Sequence, residues 1–330
     1  MLVALAVATG VGSACSPGAT PTRSAGSAVD EAPVLVTSGA RYAPAPEGWA
    51  DPTFDLYLPG DVDEPPLVVV VPDPDASPGM YEDLGRAIAQ RGVGSAVVRW
   101  GVSDPALGSL TGRPLDDVVA QAAQANAQVG CAVAVAAAQT GPGVGSHPQP
   151  LLVLGHGAGA NSAGMVSLTP TGPFPGCFAP AEAPRVAAAV LWGGDWLGTA
   201  AGDPLGDGVA RWLEVYSPWP TLPSADASTF VEVGINANRL EGQAVEVDLS
   251  SAYLTDRDPT GAIVADLEEV SAFEDGAVDP VDVTRAFAVA LGDAGVGVRE
   301  REVHGEGDPD TLGPHVRRRL VDSVVQLARP

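Results

Sequence analysis

Residues 155–159 of this chain read Gly155-His156-Gly157-Ala158-Gly159. They follow the apolar run Leu151–Leu154 and precede a stretch of small residues, so they mark a sharp turn from a buried strand into a helix. The spacing matches G-x-S-x-G. In that frame a serine sits at the tip of the turn and its hydroxyl attacks an acyl carbon. Gly157 stands in the serine position and has no side chain to attack with. The tip conformation strains a non-glycine residue by about 1–3 kcal/mol, and glycine relieves that strain. The next hydroxyl, Ser162, lies further along the helix, more than one turn from the tip.

The elements that must position this elbow are legible from periodicity. Thr53–Pro59 alternates apolar and polar residues, as a half-exposed strand does. Leu67–Val71, Gly94–Trp100, Val186–Trp192 and Thr229–Val233 are β-rich apolar runs of the kind buried on both faces. Val296–Val303 reads as a last strand. Helical spacing covers Gly79–Gly92, with Gly92 as the stop, and Pro114–Thr140, Val281–Leu291 and Pro314–Ala328. Strand and helix alternate, which implies an α/β fold with a mostly parallel central sheet covered by helices on both faces. Two stretches break the alternation. Residues 195–228 are rich in Trp and Pro and read as a lid-like insertion. Residues 236–277 form a second long insertion between a strand and its helix.

Composition narrows the partners. The 330 residues are 45% hydrophobic, enough for a sizeable core in one large domain or two small ones. There are 41 acidic residues against 17 basic ones, every basic residue is Arg, and the net charge is −24. Nucleic acid and anionic membrane surfaces both require positive patches, so neither is an expected partner. The excess acid reads as a solvated surface. No cofactor motif is found. No C-x-x-C or close His pair is present, so no metal site is expected.

The arrangement resembles the α/β-hydrolase superfamily, in particular secreted bacterial esterases of the dienelactone-hydrolase and carboxylesterase kind. The resemblance spans residues 33 to 328. It is carried by Asp55-Leu56-Tyr57-Leu58-Pro59 with Leu67–Pro72, by the elbow at 155–159, and by 276–295. It implies a Ser, then Asp or Glu, then His in chain order. On that pattern Gly157 is a degenerate nucleophile position. Gly276-Ala277-Val278-Asp279-Pro280-Val281 resembles the segment that supplies the acid, so Asp279 takes that place; Asp279-Pro280 also fits a helix N-cap followed by proline. His304 is the candidate base. Aligning Gly305-Glu306-Gly307 on the glycines of the family's histidine segment puts Asp308 in the histidine position instead. The oxyanion region maps to Asp73, Pro74, Asp75 and Ala158. Relatives often carry His-Gly-Gly after this strand, aiming backbone N–H groups at the developing charge. Here Pro72 and Pro74 have no N–H, and Asp73 and Asp75 repel an oxyanion. His156 belongs to the elbow, but its side chain is expected to point away from the nucleophile position and to pack.

The N-terminus reads as a targeting segment. Met1–Val11 is apolar and too short to span a bilayer. It leads to Gly12-Ser13-Ala14-Cys15 and then a Ser/Pro/Ala/Gly/Thr tract to about Val29. This resembles a bacterial lipoprotein signal in which Cys15 takes the lipid; a cleaved secretory signal is the other reading. Residues 1–32 are then signal and flexible tether, and 33–330 the hydrolase-fold domain, in an extracytoplasmic setting. Cys131 and Cys177 remain. Outside the cytosol such a pair usually forms a disulfide; Cys131 falls in the long helix before the elbow strand and Cys177 in the loop after the elbow helix, and the resemblance packs those two helices on one sheet. Two buried thiols are the alternative.

Three functions follow. The first is a lipid-anchored, non-catalytic binding or interaction protein of carboxylesterase lineage, whose pocket takes a small acyl or ester-like ligand. The second is a carboxylate-rich, cation-binding or acid–base enzyme using Asp73, Asp75, Asp279, His304, Glu306, Asp308 and Asp310 at the strand ends, where ligands bind in such sheets. The third is an active esterase-like hydrolase with a substitute nucleophile.

Overall fold

A computed structural model describes residues 33–45, 47–74, 76–101, 115–140, 149–168, 176–178, 184–194, 229–236, 285, 287–289, 291–292, 295–303 and 312–329. The elements in chain order are β1 (Val34–Arg41), β2 (Thr53–Pro59), β3 (Leu67–Val71), α1 (Pro78–Ala89), β4 (Gly94–Val98), α2 (Leu115–Thr140), β5 (Leu151–His156), α3 (Ala158–Leu168), β6 (Ala188–Trp192), β7 (Phe230–Asn236), β8 (Gly297–Val303) and α4 (Pro314–Leu327). The eight strands form one sheet in the order β1-β2-β4-β3-β5-β6-β7-β8. β1 pairs with β2, and β2 with β4, antiparallel; every pair from β4 to β8 is parallel. The chain has the α/β-hydrolase fold, as the elbow's resemblance implied.

Side-chain alternation builds the two layers. Leu67, Val69 and Val71 of β3 and Leu151 and Val153 of β5 face one side, where α2 and α3 supply Val129, Ala132, Ala160 and Ala163. Val68, Val70, Leu152, Leu154 and Trp192 face the other, against Leu84 and Ile88 of α1 and Leu320 and Val324 of α4. Because both faces are covered, β3, β5 and β6 read as unbroken apolar runs. α1 enters through Pro78 at its first position and is followed by Gly92 at φ +86°, a conformation that glycine adopts without strain.

One buried charge is built into this frame. Glu232 of β7 is fully buried and accepts from Ser323 Oγ of α4 at 2.6 Å. It pairs with Arg299 and Arg301 of β8, whose Nε atoms approach its carboxylate at 2.9 Å. Two guanidinium groups and a hydroxyl thus compensate the desolvation of one carboxylate. The cluster ties β7, β8 and α4 together, a structural role.

Cys131 and Cys177 form a disulfide, with Cα atoms 5.5 Å apart. It joins α2 to the segment after α3, and Phe178 N–H continues the tie by donating to Tyr42 O at 3.1 Å. The bridged cysteines are 46 residues apart, so in the chain-entropy account the bond contributes about 4 kcal/mol by restricting the unfolded chain.

Several boundaries differ from the sequence reading. β1 was not anticipated: it is a largely exposed edge strand, and Val34-Leu35-Val36-Thr37 lacks the alternation of a half-buried one. β7 runs three residues past Val233, and β5 extends through Gly155 to His156. The lid-like stretch 195–228 lies outside the described residues, as do 1–32 and all but Asn236 of 236–277. Among the described residues, no helix is long and apolar enough to cross a membrane.

Candidate functional site

The elbow forms because β5 must turn directly into α3 with almost no room. A Cβ at Gly155 would lie 2.5 Å from Ala160 Cα and Gly159 O. A Cβ at Gly159 would lie 2.3 Å from Val71 O and 2.4 Å from Pro72 O. Real Cβ contacts are never this short, so the outer two glycines of the motif are required by packing alone. Gly157 itself has φ +56°, the left-handed conformation that glycine tolerates best. Its N–H donates to Trp192 O at 3.0 Å, and its carbonyl accepts from Ala160 N–H at 2.9 Å, opening α3.

Asp73 fills the space above Gly157. A Cβ built on Gly157 would lie 1.9 Å from Asp73 Oδ2, 2.8 Å from its Cγ and 3.0 Å from its Cβ. The Asp73 carboxylate therefore takes the volume that an elbow side chain would project into. The same Oδ2 accepts from Ala158 N–H at 3.3 Å. Ala158 follows residue 157 and stands at the position where the resemblance implies an oxyanion donor. A carboxylate also suits the N-terminus of α3, where the first N–H groups lack helical partners and the dipole favours negative charge by about 0.3–1 kcal/mol.

The loop that carries Asp73 is pinned from three sides. Pro72 O accepts from Trp100 Nε1 at 2.9 Å. Asp73 N–H donates to Tyr81 Oη at 3.0 Å, and Asp73 O accepts from Ala76 N–H at 3.2 Å. Among the described residues of this region, the oxyanion donors are accounted for. Pro72 and Pro74 have none, Asp73 N–H is spent on Tyr81, and Ala158 N–H is spent on Asp73 itself. Asp73 was expected to repel an oxyanion from nearby; the structure instead seats its carboxylate in the elbow.

Beneath this loop lies a buried polar pair. Tyr81 of α1 is fully buried and His156 is 4% exposed. Tyr81 Oη and His156 Nδ1 are 2.8 Å apart. Tyr81 Oη also accepts from Asp73 N–H, and the direction of its bond with Nδ1 follows the imidazole tautomer. Burial lowers the pKa of His156, with the nearby Asp73 charge opposing. Burial raises the phenol of Tyr81, so it remains a donor. His156 thus faces the α1 layer, away from the elbow tip, as expected. Tyr81 was missed because its spacing with Leu84 and Ile88 reads as core. The available signal was its hydroxyl, which needs a partner when buried.

The structure brings Gly157, Ala158 and Asp73 together. Pro74 is exposed and packs beside Gly101, where a Cβ would lie 3.2 Å away. Ser162 is buried within α3. Asp75, Asp279, His304 and Asp308 lie outside the described residues, as do Glu306, Asp310 and Cys15. Among the described residues, no group of three or more His, Cys, Asp or Glu side chains could hold a metal ion.

No family model matches the chain, and no curated protein matches it. Solved structures similar to it include a truncated form of a carbohydrate esterase from gut microbiota, at 14% identity over 92% of this chain and 99% of that one, with a TM-score of 0.48. Carboxyl esterase 2 from the mycorrhizal fungus Tuber melanosporum is similar at 14% identity over 93% and 89%, with a TM-score of 0.46. A thermostable esterase from Pseudomonas putida is similar at 13% identity over 91% and 83%, with a TM-score of 0.42. With TM-scores below 0.5, these likenesses carry no argument about the site; strand order and elbow geometry carry the fold.

The lowered pKa of His156 has a consequence for stability. The unfolded chain takes up this proton near the ordinary value of about 6.5, before the folded chain does. Its stabilising contribution is therefore full above about pH 6.5 and is lost as pH falls below that, by at most about 1.4 kcal/mol per pH unit. Urea midpoints measured between pH 8 and 5 are expected to fall across this window in the natural chain. The fall is expected to be shallower in His156→Asn, which keeps an acceptor without a titrating ring. Parallel pH profiles would contradict the assignment.

Proposed function

We propose that this chain is a non-catalytic, extracytoplasmic protein of carboxylesterase lineage that uses the α/β-hydrolase fold for binding or interaction. The observation that carries the reading is the Asp73 carboxylate seated over Gly157 and on Ala158 N–H. Catalysis of acyl transfer needs a nucleophile at the tip and donors for the oxyanion. Loss of the nucleophile alone costs such enzymes about 10⁶ in rate, and loss of one oxyanion donor about 10²–10³. Here the tip is glycine and the donor faces a carboxylate, so a developing negative charge would meet another one.

The lineage implies a small acyl or ester-like ligand. While Asp73 holds Ala158 N–H, the carbonyl of such a ligand cannot take that bond. Binding at this point therefore requires Asp73 to move aside. Ser162, the hydroxyl next along the chain from the tip, is buried in the helix.

The membrane attachment is part of the same reading, through a lipid on Cys15. The disulfide supports an extracytoplasmic setting, because such bonds persist in oxidising compartments.

Two measurements test this. The natural chain is expected to hydrolyse short-chain p-nitrophenyl esters no faster than buffer and to take no label from a fluorophosphonate. A labelled serine or turnover above buffer would overturn the non-catalytic reading. Expressed in a bacterium fed an alkyne-tagged fatty acid, the chain is expected to incorporate the tag, and Cys15→Ala to lose it. An unlabelled natural chain would remove the anchor.

A further inference from the structure

We propose that the free edge of β1 is a docking site for an extended, basic peptide segment of a partner protein, which adds to the sheet as a further strand. β1 and β8 stand at the two ends of the strand order, and they are built differently. β8 carries Arg299, Glu300, Arg301 and Glu302 in succession, charges of the kind that keep an edge from pairing. β1 carries no charge over Val34-Leu35-Val36-Thr37. There Leu35 is 61% and Val36 43% exposed. An uncharged, apolar, exposed edge is a template for another strand.

The register fixes which backbone groups face outward. Gly60 N–H donates to Pro33 O at 2.7 Å. Val34 stands opposite Pro59, Leu35 opposite Leu58 and Thr37 opposite Leu56. In an antiparallel pair, residues that exchange hydrogen bonds alternate with residues that do not. Leu35 and Thr37 therefore bond inward to β2, and Val34 and Val36 turn their N–H and C=O groups outward. The register shifts between Thr37 and Ala40, which limits the regular edge to this short stretch. A strand laid along it bonds to Val34 and Val36. Its side chains lie beside Leu35 on one face and beside Val34 and Val36 on the other.

The loop at the start of this edge sets the charge of the occupant. Asp61, Val62, Asp63 and Glu64 are all exposed, and the bond from Gly60 to Pro33 holds their loop against the beginning of β1. Among the described residues, Asp61, Asp63 and Glu64 have no ion-pair partner. Carboxylates grouped beside an uncharged edge attract a basic residue at one end of an incoming strand. A second copy of this chain is the poorer occupant. Each copy carries −24, and the one basic residue of β1, Arg41, pairs with its own Asp51 at 3.0 Å. The loop precedes β3, whose far end, Val71, stands opposite Gly155 of the elbow. The docking edge thus starts at the other end of the sheet and does not depend on Asp73.

The test is calorimetric titration of the natural chain with the end-capped peptide Arg-Val-Thr-Val-Thr-Val-Arg, with hydrogen exchange at the Val34 and Val36 amides followed in the complex. The peptide is expected to bind and to slow exchange at both amides. The same peptide with Glu in place of each Arg is expected not to bind. Val36→Pro removes one outward N–H and spares the bonds from β1 to β2. It is expected to keep the natural urea midpoint and to weaken the peptide about fivefold or more. Neutralising the loop with Asp61→Asn, Asp63→Asn and Glu64→Gln is expected to weaken it about threefold or more and to flatten its salt dependence. No binding, unchanged exchange at Val34 and Val36 in the complex, or equal affinity for the Glu peptide overturns the proposal. A natural chain that sediments as a dimer without peptide, and as a monomer with Val36→Pro, gives the edge to a second copy and overturns it equally.

Discussion

Two groups compete for one small volume at the end of β5. A side chain on residue 157 and the carboxylate of Asp73 cannot both be there, because a Cβ at 157 would sit 1.9 Å from Asp73 Oδ2. Glycine at the tip settles the competition in favour of the carboxylate. The rest of the site is consistent with that outcome. Trp100 and Tyr81 pin the peptide group that joins Pro72 to Asp73, prolines remove neighbouring donors, and Ala158 N–H donates to the carboxylate. Glycine at position 157 and the aspartate above it are thus two sides of one packing solution.

The fold itself stays conservative because its glycines serve packing. Gly155 and Gly159 let α3 approach β3 and β5 more closely than any Cβ permits. The elbow's shape is therefore retained whether or not anything reacts there. Fold and chemistry separate at this point, as they do wherever a site is grafted on a scaffold. The carboxylate at the elbow tip is the protein's own, from Asp73. A buried tyrosine–histidine pair lies directly below it.

Much of the fold was legible because buried parallel strands write themselves as uninterrupted apolar runs. Leu67–Val71 and Leu151–Leu154 could hardly be anything else. Exposed β1 escaped because an edge strand with one paired side and two wet faces leaves no such pattern. At the site, Gly157 and the donor-poor Pro72-Asp73-Pro74 were readable as local departures. What could not be read was their contact. Asp73 and Gly157 meet only because β3 and β5 are neighbours in register, with Val71 opposite Gly155. Tyr81 was equally hidden, since only tertiary packing brings an α1 hydroxyl between residues 73 and 156.

A double-mutant cycle tests the central exclusion most directly. Urea unfolding would be measured for the natural chain, Gly157→Ser, Asp73→Ala and the double variant. A serine at φ +56° carries backbone strain in either background. With Asp73 present it must also displace the carboxylate. The account predicts that Gly157→Ser destabilises the natural chain more than it destabilises Asp73→Ala, with a coupling of about 1 kcal/mol or more. Additive effects, equal within about 0.3–0.5 kcal/mol, would mean that Asp73 does not occupy the elbow, and the account would be wrong at its base.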